Sequence, residues 1–305
     1  MTSVPSLSEL YAQHSGLSSD KWSLYLEKYD QLFTPLRSRP INVLEIGVQN
    51  GGSLEIWAKF FFNASLIAGC DINPKCGSLQ FSDSRIKMVV GDINSLEACT
   101  EIGKLSEQYN IIIDDGSHTS PDIIQTFLRL FPILSNDGIY VAEDLHCSYW
   151  AEFSGGLNHE FSSMNFFKSL SDIVNFEHWG TSDTRCDHLK EFIGSFTENK
   201  EELLSKIHSI EFINSMCVIR KKDSQCNSLG PRQVVGDIQA VAENKRLHGT
   251  LIGNRPQSSL SEDKVSKSDK NVQDYIQHLE GEISKLKAEL VDIRNNSVIL
   301  QRHEP

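Results

Sequence analysis

Acidic and histidine side chains follow two short apolar runs near the middle of the chain. The runs open the stretches IIIDDGSH and GIYVAEDLHCSYW, and both indicate buried strands. The polar residues that follow them are Asp114, Asp115, His118, Glu143, Asp144 and His146. Carboxylates that lie close together repel one another unless a positive charge sits among them. A hard divalent cation bound by oxygen atoms is the simplest such partner.

The segment between these strands places their ends together. Apolar residues in 121–134 recur at helical spacing, and Asn136-Asp137-Gly138 then predicts a break. A strand, a helix and a second strand with short connections form a right-handed parallel crossover. Both acidic ends therefore lie at the carboxyl edge of the sheet, where open α/β sheets bind their ligands.

A glycine-containing loop follows the first predicted strand. The strand is INVLEI (41–46), the loop runs through Gly47 and Gly51, and residues 54–62 have helical spacing. A strand, a glycine loop and a helix allow a close approach of backbone N–H groups to a ligand. Gln49 stands where a GxGxxG motif would have its second glycine, so a plain tight turn is an equal alternative.

Two further predicted strands each end in an acid. Residues 66–70 lead into Asp71, and residues 86–90 lead into Gly91 and Asp92. An acid at the end of the second strand accepts hydrogen bonds from ribose hydroxyls in nucleotide-binding folds. Asp71 could instead cap a turn, and Asp92 could cap the following helix rather than lie near an adenine.

The later part of the chain predicts a hairpin and a coiled coil. Residues 207–212 and 216–220 flank Asn214-Ser215 and would form an antiparallel edge pair. From 272 onward, apolar residues fall at heptad positions a and d, which favours a parallel two-stranded coil and a homo-oligomer over a lone surface helix. The a and d residues are Ile276, Ile283, Leu290, Val272, Leu279, Leu286, Ile293 and Leu300.

Charge and composition narrow the class of protein. The 305 residues carry a net charge of −12, which argues against nonspecific binding to nucleic acid or to an anionic membrane. The seven cysteines include no CxxC pair, which indicates reduced thiols and a cytoplasmic protein. We expect no signal peptide and no transmembrane segment, because no apolar run approaches the ~20 residues that span a bilayer.

Five stretches in fixed order carry a resemblance to a known family. They are VLEIGVQNGGS, AGCDINPK, VGD, IIIDDGSH and YVAEDLHCSYW, and the resemblance covers roughly residues 20–220. It is to class I methyltransferases that use S-adenosylmethionine, in particular the metal-dependent sugar O-methyltransferases of the mycinamicin and macrocin type. The resemblance implies an α/β, Rossmann-like sheet of seven strands whose last strand is antiparallel.

The resemblance also implies roles for particular residues. Asp115, Glu143 and Asp144 match magnesium ligands, and His118 matches the general base. The positions that match cofactor-binding residues are Glu45, Gly47, Gly51, Ser53, Asp71, Asp92 and Asp115. The implied reaction moves a methyl group from S-adenosylmethionine to a hydroxyl of a sugar, a glycan or a glycosylated natural product. No motif identifies the acceptor further.

These predictions give a domain layout with alternatives. We expect a helical lid over 1–40, a methyltransferase domain over 41–222 with an acceptor-covering insert at 151–196, a linker over 223–270 and the coiled coil over 271–305. The coil could hold the enzyme beside a partner of glycan or polysaccharide assembly. The alternatives are a nicotinamide-dependent oxidoreductase, a metal-dependent hydroxylase, and a non-catalytic scaffold built on the same fold.

Overall fold

The computed structural model describes residues 4–193, 200–253 and 255. One compact unit comprises Met1–His178 and Ser182–Ile252, and it contains the sheet and the helices described below. A second unit comprises Trp179–Thr181 and Gly253–Pro305, and its described residues form neither helix nor strand. The predicted coiled coil over 271–305 and residues 256–270 of the predicted linker lie outside the described residues.

A seven-stranded mixed sheet forms the centre of the first unit. Its order is β3-β2-β1-β4-β5-β7-β6, with β7 antiparallel to both of its neighbours and the first five strands parallel. The strands are β1 Asn42–Ile46, β2 Leu66–Asp71, β3 Ile86–Val90, β4 Tyr109–Asp114, β5 Leu134–Ala142, β6 Ile207–Ile213 and β7 Met216–Lys221. The structure thus confirms the predicted seven strands and the antiparallel last strand.

The strand order explains where a ligand can bind. The chain winds outward from β1 through β2 to β3, then returns to place β4 on the other side of β1. The order therefore reverses between β1 and β4, and crevices at such reversals bind ligands beyond the carboxyl ends of the strands. The central residues of β1 and β4, Val43-Leu44 and Ile111–Ile113, are buried and apolar because helices cover both faces of a parallel sheet.

Eight helices pack around this sheet in the described part of the chain. They are α1 Leu7–Ala12, α2 Ser23–Phe33, α3 Gly52–Phe60, α4 Leu96–Leu105, α5 Ser120–Leu130, α6 Ser163–Val174, α7 Arg185–Ile193 and α8 Lys200–Leu204. Ser6 and Glu9 form a capping box at the start of α1, which satisfies two free N–H groups. None of the described helices combines the length and the apolarity that a membrane crossing requires.

Helix α2 belongs to the hydrophobic core. Tyr29 and Phe33 stack with ring centroids 5.0 Å apart, and Tyr29 meets the edge of Trp57 on α3 at 5.4 Å. All three side chains are at most 1% exposed. Aromatic pairs of this kind add to the stabilisation that burial provides. The N-terminal helices are therefore fixed on the domain through large apolar contacts, and the residues just before α2 have defined positions.

Two local predictions are wrong. Asn136-Asp137-Gly138 does not end a helix before a later strand but forms a bulge inside β5, where the pairing with β4 shifts between Tyr109 and Ile111. Asp137 adopts φ 60°, which lets the extra residues leave the ladder while β5 continues. The sequence also predicts a short helix near 234–247, but only a 3₁₀ turn forms there, at Lys245–Leu247.

Candidate active site

Backbone hydrogen bonds join the ends of three neighbouring strands. The N–H of Asp115 donates to Ile46 O at 2.9 Å, and the N–H of Glu143 donates to Asp114 O at 2.9 Å. The ends of β1, β4 and β5 are thereby held side by side, as the crossover predicts. The acids do not point apart, so their charges require compensation within a small volume.

Part of this compensation comes from a lysine that precedes α2. Lys21 Nζ lies 3.1 Å from Glu45 Oε1, 2.5 Å from Asp115 Oδ2 and 2.8 Å from Glu143 Oε1. The Lys21 side chain is only 2% exposed. Burial alone would disfavour its ammonium, but the three carboxylates outweigh burial and raise the pKa of Lys21 well above its ordinary value. Lys21 is therefore charged and neutralises part of the acidic cluster.

Glu45 and Glu143 form the inner wall of this cluster. Glu45 Oε2 accepts hydrogen bonds from Ser53 Oγ at 2.6 Å and Trp57 Nε1 at 3.2 Å, so the carboxylate ties β1 to α3. Tyr29 donates its hydroxyl to Glu143 Oε1. Burial raises the pKa of Glu143 to about 8 although Lys21 opposes the shift, and burial likewise raises the pKa of Glu45. The inner acids are thus occupied with contacts inside the protein.

A second group of side chains lies outside the inner wall. It consists of Asp115, His118 and Asp144, whose atoms could bind a metal, and we call it the outer donor group. Trp22 Nε1 and Tyr25 Oη donate to Asp144 Oδ1 at 3.0 and 2.9 Å, while the ammonium holds Asp115 Oδ2. The other oxygens, Asp115 Oδ1 and Asp144 Oδ2, each lie 3.9 Å from His118 Nε2. Each aspartate thus has one oxygen engaged by neighbouring side chains and presents the other towards the imidazole.

This outer group has the composition of a metal site. One ligand atom from each of Asp115, His118 and Asp144 lies within 4.8 Å of the others. His118 and Asp144 have φ values of 59° and 52°, and non-glycine residues in the left-handed region are concentrated at functional sites. The two carboxylate oxygens suit a hard divalent cation, whereas the imidazole is a ligand that softer metals prefer and can instead accept a proton. The residues present therefore fit magnesium, although the predicted ligand Glu143 already binds Lys21 and Tyr29 through Oε1.

The glycine loop after β1 borders a cavity at the point where the strand order reverses. Gly47 and Gly51 have φ values of 83° and 89°, and a Cβ on Gly47 would lie 1.9 Å from the carbonyl oxygen of Asp115. Asp71 Oδ2 accepts from the N–H groups of Val48 and Gln49, both at 2.8 Å, and so fixes the loop. The loop conformation thus needs glycine and an acid at these positions.

The cavity brings together only some of the predicted cofactor residues. Gly47, Asp71 and Asp92 line it, together with Asp114 and Thr126. The remaining four predicted positions lie outside its lining; they are Glu45, Gly51, Ser53 and Asp115. Glu45 and Ser53 instead bond to each other, and Gly51 lies against Leu79 and Phe81.

Sequence reasoning missed the ion pairs that Lys21 forms in this region. Lys21 carries no motif and lies 94 residues from Asp115, so only a structure could bring it to the acids. Asp114, which the sequence predicts among the acids at the strand ends, lines the cavity and accepts from Tyr140 Oη at 3.1 Å. Burial raises the pKa of Asp114 to about 7. The sequence leaves a ligand contact by Asp20, Lys21 or Trp22 as the lesser alternative to a packed helical lid, and the structure places Trp22 Nε1 within hydrogen-bond distance of Asp144.

Comparison with known proteins agrees with this arrangement. No family model matches the sequence. The chain is 37% identical over 179 residues to 8-demethyl-8-alpha-L-rhamnosyl tetracenomycin-C 2'-O-methyltransferase of Streptomyces olivaceus, covering 55% of this chain and 46% of the relative. It is 35% identical over 183 residues to demethylmacrocin O-methyltransferase of Streptomyces fradiae, covering 57% and 45%. The chain therefore spans about half the length of the curated relatives it matches.

A solved structure supports the same relationship. MycE methyltransferase from the mycinamycin biosynthetic pathway, in complex with Mg, S-adenosylhomocysteine (SAH) and mycinamycin VI, superposes with a TM-score of 0.60 and 27% identity. The match covers 72% of this chain and 54% of MycE. The comparisons confirm the resemblance: the described sheet has the class I methyltransferase fold, and the chain is homologous there to sugar O-methyltransferases of the tetracenomycin, macrocin and mycinamicin type.

Proposed function

We propose that this protein transfers a methyl group from S-adenosylmethionine to a sugar hydroxyl of a glycan or glycosylated natural product, with a requirement for Mg²⁺. The group of Asp115, His118 and Asp144 beside the cavity carries the proposal. The proposal is supported by the relatives, which are O-methyltransferases that include one acting on a rhamnosyl tetracenomycin, and by the Mg and SAH bound to MycE.

The cavity and the outer donor group share one loop. Asp114, Gly116 and Ser117 line the cavity, while Asp115 and His118 lie between and after them in the chain. S-adenosylmethionine bound in the cavity, with Gly47, Asp71 and Asp92 around it, would therefore lie next to the metal-binding side chains of the outer donor group. S-adenosylmethionine would supply a methyl group on a sulfonium, which an oxygen nucleophile can attack. Holding two reactants aligned contributes about 7–11 kcal/mol in favourable cases.

The outer group supplies the remaining chemistry. Asp115 and Asp144 would hold the cation through the oxygens that face His118, and Glu143 could add only Oε2, because Oε1 accepts from Lys21 and Tyr29. A bound divalent cation lowers the pKa of a coordinated hydroxyl. His118 would accept the proton of the acceptor hydroxyl at Nε2, the ring atom that faces both aspartates.

The predicted domain limits, assembly, location and partner stay proposals. We propose the domain limits 1–40, 41–222 with its insert at 151–196, 223–270 and 271–305, a parallel coiled coil as the dimer contact, a cytoplasmic location and a partner enzyme in glycan assembly. The curated relatives are O-methyltransferases, so neither the oxidoreductase nor the scaffold alternative gains support from them.

Methyl transfer from labelled S-adenosylmethionine to a panel of glycosides, including methyl α-L-rhamnoside, tests the proposal. EDTA should abolish transfer and excess Mg²⁺ should restore it. His118→Ala should keep SAH and Mn²⁺ binding and lose about 100-fold or more in kcat, the range of general base catalysis. Asp144→Asn should lose Mn²⁺ binding, measured by electron paramagnetic resonance.

Asp137→Asn is the matched control, because Asp137 is exposed on the β5 bulge and asparagine accepts its positive φ. It should behave as the wild type in every assay. If His118→Ala lost Mn²⁺ binding as well, His118 would be a metal ligand rather than the base. Full turnover in EDTA would refute the requirement for a metal.

A further inference from the structure

A groove of about 390 Å³ opens beside Asp144 and is not used by the proposed reaction. The side chains that shape it are Trp22, Leu24, Tyr25, His146, Trp150 and Ser215. Two of these residues also contact the outer donor group, since Trp22 and Tyr25 both donate to Asp144 Oδ1. The groove is therefore continuous with the site at which the acceptor hydroxyl would react.

The two tryptophans of the groove are exposed but have defined neighbours. Trp22 is 60% exposed and Trp150 is 47% exposed. Their rings flank the His146 imidazole edge to face, with centroid distances of 6.1 Å to Trp22 and 5.0 Å to Trp150. His146 is held in turn by a 2.5 Å contact between Nδ1 and Ser215 Oγ. Exposed apolar surface of this kind, gathered next to a polar site, commonly marks a binding surface.

The chemistry of the two regions is complementary. The outer group offers charge to a hydroxyl, whereas the groove offers aromatic faces and little charge. A glycoside has the same two-part character when its sugar is linked to an apolar aglycone. Indole rings bury large apolar areas at a small entropic cost, which makes them effective contacts for such a group.

The geometry points to this groove as the subsite for the apolar aglycone that adjoins the reacting sugar, with Trp150 as a specificity-determining residue. The inference rests on the proposed function, because it assumes that the acceptor reacts beside Asp144. It assigns to the groove an apolar or aromatic ring system attached to the sugar, and it assigns the sugar itself to the outer group.

Two glycosides that share one sugar test the assignment. Methyl α-L-rhamnoside and p-nitrophenyl α-L-rhamnoside differ only in the group that would enter the groove, and both are titrated by calorimetry in the presence of SAH and Mg²⁺. The wild type should bind the p-nitrophenyl glycoside about tenfold more tightly, the factor expected for one aromatic contact of ~1.4 kcal/mol. Trp150→Ala should remove this preference and leave the affinity for the methyl glycoside unchanged.

Trp150→Phe should restore most of the preference, because it keeps an aromatic ring. Phe62→Ala is the matched control, since Phe62 is 50% exposed and lies outside the groove lining. Equal affinities for the two glycosides, including no detectable binding of either, would overturn the assignment, as would a preference that survives in Trp150→Ala. A preference that is lost in Trp150→Ala, without methyl transfer to either glycoside, would count against the proposed function and show only that the groove binds an aromatic group.

Discussion

At the scale of single residues, Lys21 sets the net charge of the acidic cluster. Three buried or nearly buried carboxylates face one ammonium, and one of them, Asp115, also presents an oxygen to His118. Buried charges are tolerated only when they are paired, because transfer from water costs several kcal/mol per ion. Lys21 thus compensates the inner acids while Asp115 and Asp144 keep one oxygen each for the outer group.

Lys21→Met tests this division of charge. The variant leaves Glu45, Asp115 and Glu143 without their cation, so we expect the free energy of unfolding to fall by about 3–5 kcal/mol in the absence of metal, measured by urea denaturation. Excess Mg²⁺ should stabilise the variant more than it stabilises the wild type, because a cation in the outer group would replace part of the lost charge.

Lys104→Met is the matched control for this substitution. Lys104 is 64% exposed and pairs with Glu101 on the surface of α4, so its loss should change the free energy of unfolding by less than about 1 kcal/mol. If Lys21→Met were as stable as Lys104→Met, the three carboxylates would not depend on the lysine.

At the scale of elements, the turn between β1 and α3 connects the cavity to the acidic loop. Gly47 packs against the backbone of Asp115, so the loop that borders the cavity and the loop that carries the acids touch directly. The contact is possible only without a side chain, and the φ of 83° favours glycine independently. A displacement of one loop must therefore displace the other.

Gly47→Ala should lower the free energy of unfolding by more than about 2 kcal/mol and weaken SAH binding, because the new Cβ collides with backbone in an unfavourable conformation. Gly103→Ala is the control: Gly103 lies in α4 with nothing within 4 Å of its Cβ position. It should raise the stability by about 0.5–1 kcal/mol. Thermal and urea unfolding measure both changes, and equal effects of the two substitutions would contradict the close contact.

The elements themselves could be predicted from the sequence because their signals are local. Short, mostly apolar segments predict β1, β2 and β4, and helical spacing predicts α5. The bulge at Asp137 was missed because Asn-Asp-Gly also signals a turn, and only the pairing with β4 decides between them. Lys21 was missed for a stronger reason: no periodicity reports a contact between charges more than ninety residues apart.

At the scale of the whole molecule, the predicted coiled coil sets the expected assembly. Its heptad positions fall in residues outside the described part, so the sequence alone carries this prediction. Leu286→Asp places a charge at a d position and should dissociate a dimer, whereas Ala288→Asp alters an outward position of the same heptad and should not. Size-exclusion chromatography with light scattering measures the mass of each full-length variant. Equal masses for the two variants would argue against the coil as the dimer contact.

The span between Lys21 and its partners has a consequence for biosynthesis. The lysine precedes Asp115 by 94 residues and Glu143 by 122, so it leaves the ribosome long before either acid exists. The acidic cluster cannot be complete until β4 and β5 have both been made, and the closure of so long a loop carries an entropic cost. Completion of the acidic cluster therefore coincides with maturation of the sheet.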